Sequence, residues 1–252
     1  MSLAGGFLLN RLLASAKGSR LAKSQVYRSA PRPGMVLVKG GSFTMGSEKF
    51  YPEEAPLRRV SVGDYWIDEV PVTNREYARF VAETGYVTVA EIAPDPRDYA
   101  GMLEGMDAAG SLVFKKTPTP VDTSNPYLWW EFRFGADWRH PLGPDSTLDD
   151  LDLWDHPVVH VAYEDAKAYA KWAGKGLPTE AEFEFAARGG IEDADFAWGD
   201  ELAPGGAMMA NYWQGQFPFT NSMEDGWERT SPVRSYPANG LGLYDMIGNT
   251  WE

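Results

Sequence analysis

The side chains in this sequence that could do chemistry are few in kind. Among its 252 residues are three histidines, His140, His156 and His160, and no cysteine. His156 and His160 stand four apart, the spacing at which a helix presents two imidazoles to one metal ion. Pro157 and the β-branched Val158 and Val159 between them favour an extended chain instead. Extended backbone also puts both rings on one face, but about 13 Å apart, too far to share an ion. Hydrogen bonding in a loop or core is the stronger reading. The absence of cysteine excludes disulfides, zinc–thiolate sites, iron–sulfur clusters and thiol nucleophiles. There is no Gly-x-Ser-x-Gly elbow, phosphate-binding loop or dinucleotide fingerprint. Adjacent carboxylates such as Glu53–Glu54 and Asp149–Asp150 read as solvated surface in so acidic a chain.

The run from Asn211 to Trp227 is more specific. It joins a side-chain amide (Asn211) and a carboxylate (Asp225) in backbone bent at Gly215 and Gly226. Hard cations such as Ca²⁺ take about six to eight oxygens, and the carbonyls of irregular loops supply them well. The spacing is not that of an EF-hand. On spacing alone two readings stay open, a Ca²⁺ site and a loop closed by Asx-type hydrogen bonds.

Three helices are signalled that could position such loops. The first is capped by Thr73 with Glu76 three residues on, carries Tyr77, Phe80 and Val81 on one face, and stops at Gly85. The second runs from about Tyr163 to Ala173, with Glu164 and Asp165 in its first turn and Gly174 at its end. The third repeats the capping box as Thr179 and Glu182 and ends at Gly189–Gly190. Short β-type runs occur at Met35–Val38, Val60–Val62 and Tyr65–Ile67, with Gly40–Gly41 as punctuation. Residues 92–157 and 195–242 read as long irregular stretches. Without disulfides, buried tryptophans or bound metal ions must hold them.

Composition agrees with a loop-rich globular fold. Hydrophobic residues are 44% of the chain and aromatic ones 13%, enough for a packed core, while 26 Gly and 18 Pro disfavour a helical bundle. The net charge of −13 argues against a nucleic-acid partner. It is unevenly placed, because residues 1–47 hold seven basic residues and no acid. The apolar run Leu3–Leu13 is broken by Asn10 and Arg11 and is too short to span a bilayer. Residues 1–33 therefore read as a basic extension, either a targeting segment or one without a signal. A cytoplasmic setting is the default expectation.

Seven motifs then occur in order: Gly40-Gly-Ser-Phe-Thr-Met-Gly46, Pro71-Val-Thr-Asn74, Gly135-Ala-Asp-Trp-Arg-His-Pro141, His156-Pro-Val-Val-His160, Leu177-Pro-Thr-Glu-Ala-Glu182, Ala187-Arg-Gly-Gly190 and Gly248-Asn-Thr-Trp-Glu252. Together they resemble the formylglycine-generating enzyme (sulfatase-modifying factor) family over residues 34–252. The resemblance implies one domain over 34–252 with an α/β (α+β) fold, C-type-lectin-like and low in regular secondary structure. It implies an oxidase that uses O₂ and copper. The reaction converts the cysteine of a Cys-x-Pro-x-Arg segment, in an unfolded sulfatase, to Cα-formylglycine. Two structural Ca²⁺ sites come with it. Carried over by motif, the first uses Asn211, the carbonyl of Tyr212, Asp225 and the carbonyl of Trp227. The second uses Asp245, where the family often has Asn, with the carbonyls of Gly248 and Thr250, and Glu252. Trp251 would border the substrate groove.

The departures carry as much weight. The family binds copper(I) through a cysteine pair downstream of Gly-Asn-x-Trp-Glu, whereas this sequence stops within that motif and has no cysteine. Copper(I) prefers thiolates. The expectation is an N-terminal portion of such an oxidase, catalytically silent as it stands. The alternative is a non-catalytic lectin-like binding module on the same scaffold. Gly176, Phe183 and Phe185 also differ from the family's usual Arg or Ala, Trp and Tyr.

Overall fold

A computed structural model describes residues 32–97, 102 and 107–252. The N-terminal segment read above as a targeting or extension sequence lies outside the described residues up to 31. The chain divides into two compact units, Met1–Glu69 and Val70–Glu252.

The first unit is built of paired strands. β1 (Met35–Val38) lies antiparallel to β4 (Tyr65–Asp68), with Met35 opposite Asp68, and β2 (Gly41–Met45) lies antiparallel to β3 (Arg58–Val62). Gly40 separates β1 from β2, and a Cβ there would sit 2.4 Å from the Val62 carbonyl oxygen, so no side chain fits. Asp64 secures the same corner, accepting from the Gly40 N–H and from Lys39, each at 2.9 Å. Gly41, by contrast, already belongs to β2. Among the unit's described residues, Val38, Phe43 and Met45 are buried.

The second unit holds the three expected helices, α1 (Asn74–Thr84), α2 (Tyr163–Trp172) and α3 (Glu180–Ala187). In α1 the capping box is complete: Glu76 N–H donates to Thr73 Oγ1 at 3.3 Å, and Thr73 N–H donates to Glu76 Oε2 at 3.0 Å. Gly85, with φ of 67°, ends the helix. Its face of Tyr77, Phe80 and Val81 packs with Trp138, Leu148 and Tyr169 into the core. Ring centroids there are 5.3 Å apart for Tyr77–Phe80 and for Tyr77–Trp138, both edge to face. Such pairs add about 0.5–1.5 kcal/mol each beyond area burial.

Asp165 does more than complement the α2 dipole. It is fully buried, accepts from the Ala162 N–H at 2.7 Å, and also takes the Tyr86 hydroxyl at 3.0 Å and the Val89 N–H at 3.1 Å. One carboxylate thus closes the start of α2 and fixes the loop after α1, with the multiple donors a buried charge requires.

The expectation of irregular chain over 92–157 is corrected. That stretch contains β5 (Gly110–Phe114) and β6 (Trp130–Phe134), antiparallel with Gly110 opposite Phe134. The alternation Trp130, Phe132, Phe134 against Glu131 and Arg133 is present in the sequence, but no short turn links the two strands to mark a hairpin. Residues 195–242 are as irregular as expected, with a single 3₁₀ turn at Pro204–Gly206 among the described residues. Asn239 ties that stretch to the end of α3, donating to the Ala186 carbonyl at 2.8 Å. Among the described residues no helix is long and apolar enough to cross a membrane.

Candidate metal centre

Asp225 organises the Asn211–Trp227 loop. Its Oδ2 accepts the Tyr212 N–H at 3.1 Å and its Oδ1 the Trp227 N–H at 3.0 Å, so both carbonyl-bearing neighbours are drawn to one carboxylate. Tyr236 donates its hydroxyl to the Asp225 carbonyl at 3.2 Å. Asn211 is buried and spends its amide hydrogens on the Arg229 carbonyl, at 2.7 Å, and on Asn249. No described residue donates to Asn211 Oδ1 or to the Trp227 carbonyl. The Tyr212 carbonyl accepts the Gln214 side-chain amide.

This donor set suits a hard cation. It offers one carboxylate, one amide oxygen and backbone carbonyls on a loop with its shape already fixed by hydrogen bonds. Among the described residues no three His, Asp or Glu side chains come together as a metal-binding group. A site of mixed amide, carbonyl and single-carboxylate donors needs no such cluster.

The second set is joined to the first through residues that spacing alone did not single out. Asn249, at φ of 62°, accepts from the Ser231 N–H at 2.9 Å and donates to the Ser231 carbonyl at 3.1 Å. Its own N–H donates to the Asn211 carbonyl at 2.8 Å. Gly248 lies so close that a Cβ would stand 2.4 Å from that same Asn211 carbonyl oxygen. The Gly-Asn pair of the last motif is thus what docks the second loop on the first. Asp245 accepts the Arg234 N–H at 2.8 Å, and burial pushes its acid upward. The Gly248 carbonyl accepts the Thr250 N–H at 2.7 Å. Glu252 is pushed up to about 7, first by loss of hydration and second by the charge of Asp245. The residue as a whole is exposed, so its carboxyl is better hydrated than that shift implies. Trp251 is 97% exposed.

His156 and His160 serve the fold. His156 is buried, with Nδ1 2.9 Å from Thr230 Oγ1 and its ring edge-on to Trp227 at 5.8 Å. His160 does not continue an extended strand; its φ is 58°. Its Nε2 lies 2.9 Å from the Pro141 carbonyl and its Nδ1 2.8 Å from Ser111 Oγ. A carbonyl only accepts, so Nε2 carries the hydrogen and Nδ1 accepts from the serine. Burial holds both imidazoles below their ordinary pKa. The two rings thus turn to different partners.

With this geometry in place, residues 21–252 match the sulfatase-modifying factor enzyme 1-like domain. The chain belongs to the sulfatase-modifying factor family. It is 55% identical over 222 residues to the formylglycine-generating enzyme of Mycobacterium tuberculosis, covering 86% of this chain and 72% of that protein. Its identity to the bovine formylglycine-generating enzyme is 43% over 254 residues, covering 94% of this chain and 64% of the relative. A second bovine relative, 40% identical over 223 residues and covering 86% of this chain and 69% of that protein, is named inactive Cα-formylglycine-generating enzyme 2. Among solved structures, PvdO from Pseudomonas aeruginosa superposes with a TM-score of 0.50 at 26% identity, covering 86% of this chain and 72% of that one. The mixed α/β fold with little regular structure is therefore that of the family.

Proposed function

We propose that this chain is the calcium-organised portion of a formylglycine-generating oxidase. The complete enzyme would convert the cysteine of a Cys-x-Pro-x-Arg segment in an unfolded sulfatase to Cα-formylglycine, using O₂ and copper. The observation that carries this reading is the 55% identity to a protein of that name across 86% of this chain. Asn211, Tyr212, Asp225 and Trp227 would hold one Ca²⁺, and Asp245, Gly248, Thr250 and Glu252 a second. The first cation would neutralise Asp225 and pin the Tyr212 and Trp227 carbonyls. The second would relieve the repulsion between Asp245 and Glu252. Both ions would be structural, holding irregular backbone that has no sheet or helix to support it. On this reading the exposed Trp251 ring borders the substrate groove.

The residues present do not fit copper(I). A sequence without cysteine offers it no thiolate, and no step of the oxidation is assigned to this chain. The chain alone is therefore inactive on this reading. The named inactive relative supports a second reading, a binding module that keeps the scaffold and has lost the chemistry.

One experiment addresses both readings. A Cys-x-Pro-x-Arg peptide is incubated with copper, a thiol reductant and air, then weighed by mass spectrometry. The chain alone should leave it unchanged. The chain fused to the part of the mycobacterial relative that it does not cover should convert it. Turnover by the chain alone would overturn the assigned inactivity. A folded but inactive fusion would favour the binding module.

A further inference from the structure

The sequence contains a single Asn-Gly pair, Asn239–Gly240. It stands where the irregular stretch 195–242 meets the end of α3, and packing dictates both residues. A Cβ on Gly240 would stand 2.3 Å from the Gly189 carbonyl oxygen, so the two segments touch backbone to backbone. Asn239 then commits its whole side-chain amide. Nδ2 donates to the Ala186 carbonyl at 2.8 Å and to the Ala187 carbonyl at 3.4 Å. Oδ1 accepts the Leu241 N–H at 3.0 Å and the Leu243 N–H at 3.2 Å. Both α3 acceptors lie in the last turn of that helix, where carbonyls run out of partners within the helix. Leu243, seated by the same amide, is 1% exposed.

An asparagine followed by glycine is chemically labile, because no side chain hinders approach of the next backbone nitrogen to the amide carbon. The Gly240 nitrogen gives its proton to water and attacks Asn239 Cγ. The Cγ–Nδ2 bond breaks, Nδ2 takes up a proton and leaves as ammonia, and a cyclic imide remains. Water then opens either carbonyl of the ring, giving aspartate or isoaspartate. Water is consumed and ammonia released, with no oxidation or reduction.

The docked joint opposes this reaction. Attack requires the amide to turn its face toward the Gly240 nitrogen, whereas its bonds to α3, Leu241 and Leu243 fix its plane. Local opening frees it. Once formed, the product does not fit the joint. A carboxylate only accepts, so it keeps Leu241 and Leu243 but has no hydrogen for Ala186 and Ala187. It also sets a negative charge against carbonyl oxygens at the negative end of the α3 dipole. Isoaspartate lengthens the backbone by a methylene and displaces Gly240 from Gly189.

We infer that Asn239 is a deamidation site gated by folding. It is protected while the 195–242 stretch is docked on α3, reacts once that joint opens, and thereafter prevents the joint from closing. The site therefore keeps an irreversible record of opening. The inference is independent of the oxidase reading, since it needs neither copper, calcium nor turnover.

The test holds the full chain at mildly alkaline pH, folded in buffer and unfolded in guanidinium chloride. Digestion and mass spectrometry then follow the peptide that contains Asn239 and Gly240. Conversion of the unfolded chain should be at least about tenfold faster, the ratio for a joint open less than a tenth of the time. Equal rates, or no conversion of the unfolded chain, would overturn the proposal. Hydrogen exchange on Asn239→Asp reads the consequence: the end of α3 and residues 239–243 should exchange faster than in the unmodified chain. Unchanged exchange would overturn the claim that the product cannot dock. Should Asn239→Asp fail to fold, the chain treated in guanidinium chloride is refolded, with its unconverted molecules as the internal control. Converted molecules should be depleted from the refolded fraction, and equal recovery would overturn the proposal.

Discussion

Around Tyr77 the chain is held by rings; around Asp225 it is held by hydrogen bonds. In the first region capped helices present Tyr77, Phe80 and Tyr169 to Trp138, and the four rings meet at centroid distances of 5.3–5.8 Å. In the second, residues 211–252 have no helix or strand, and Asn211, Gln214, Asp225, Asn239 and Asn249 do the connecting with side-chain amides and carboxylates. Burial of apolar area requires no bound ion. A web of oxygens around a carboxylate is suited to one. The two regions should therefore fail under different conditions, and that difference can be measured.

The largest effect is expected in the ring cluster. Phe80→Ala should destabilise the protein by about 3–5 kcal/mol, because it empties a fully buried site that rigid aromatic neighbours cannot collapse into. Urea unfolding should show the same loss with calcium or with chelator. A loss that depended on calcium would erase the contrast between the regions.

Next is the loop. If Asp225 holds a cation, Ca²⁺ at a hundred times its dissociation constant should stabilise the protein by about 2.7 kcal/mol. Chelator should remove the gain, and Asp225→Ala should abolish it. Calorimetry showing unchanged calcium binding in that variant would remove Asp225 from the site.

A smaller effect is expected from His160. Burial depresses its folded pKa, and both ring nitrogens are committed in the neutral form. The unfolded chain therefore binds this proton more readily. Its contribution is present above the unfolded value near 6.5 and is lost as pH falls below it, with a slope of at most about 1.4 kcal/mol per pH unit. His160→Gln should flatten the stability profile below about pH 6.5. An unchanged slope would show that other groups set it.

The smallest change is at the start of α3. Thr179→Ala removes the acceptor for the Glu182 N–H and should cost about 1 kcal/mol, read from thermal unfolding. Hydrogen exchange should localise the loss to Glu180–Ala187.

The helices were legible in the sequence because their signals are local. Thr73 with Glu76 and Thr179 with Glu182 fix their caps within four residues, and the spacing of Tyr77, Phe80 and Val81 marks a buried face. β1, β3 and β4 were legible as short β-type runs, whereas β2, which begins at the Gly41 read as punctuation, was not. The β5–β6 pair went unread because its strands are joined by a long loop. The placement of Asn211 and Asp225 in one loop was also legible, since thirteen residues of polar, glycine-bent chain join them. That Asn249 and Gly248 would dock on Asn211 was not, because no periodicity encodes contact between two irregular segments.

By itself, then, the sequence determined the family, the three capped helices and the absence of any thiolate chemistry, each being a matter of residue type at short range. Only the tertiary structure decided that Asp165 is a buried three-donor hub and that His156 and His160 turn to different partners. It also decided that Glu91, Arg139 and Asp149 line one cleft with Val81 and Trp138. Those are facts of proximity between distant segments, and proximity is set by which surfaces the folded chain buries together.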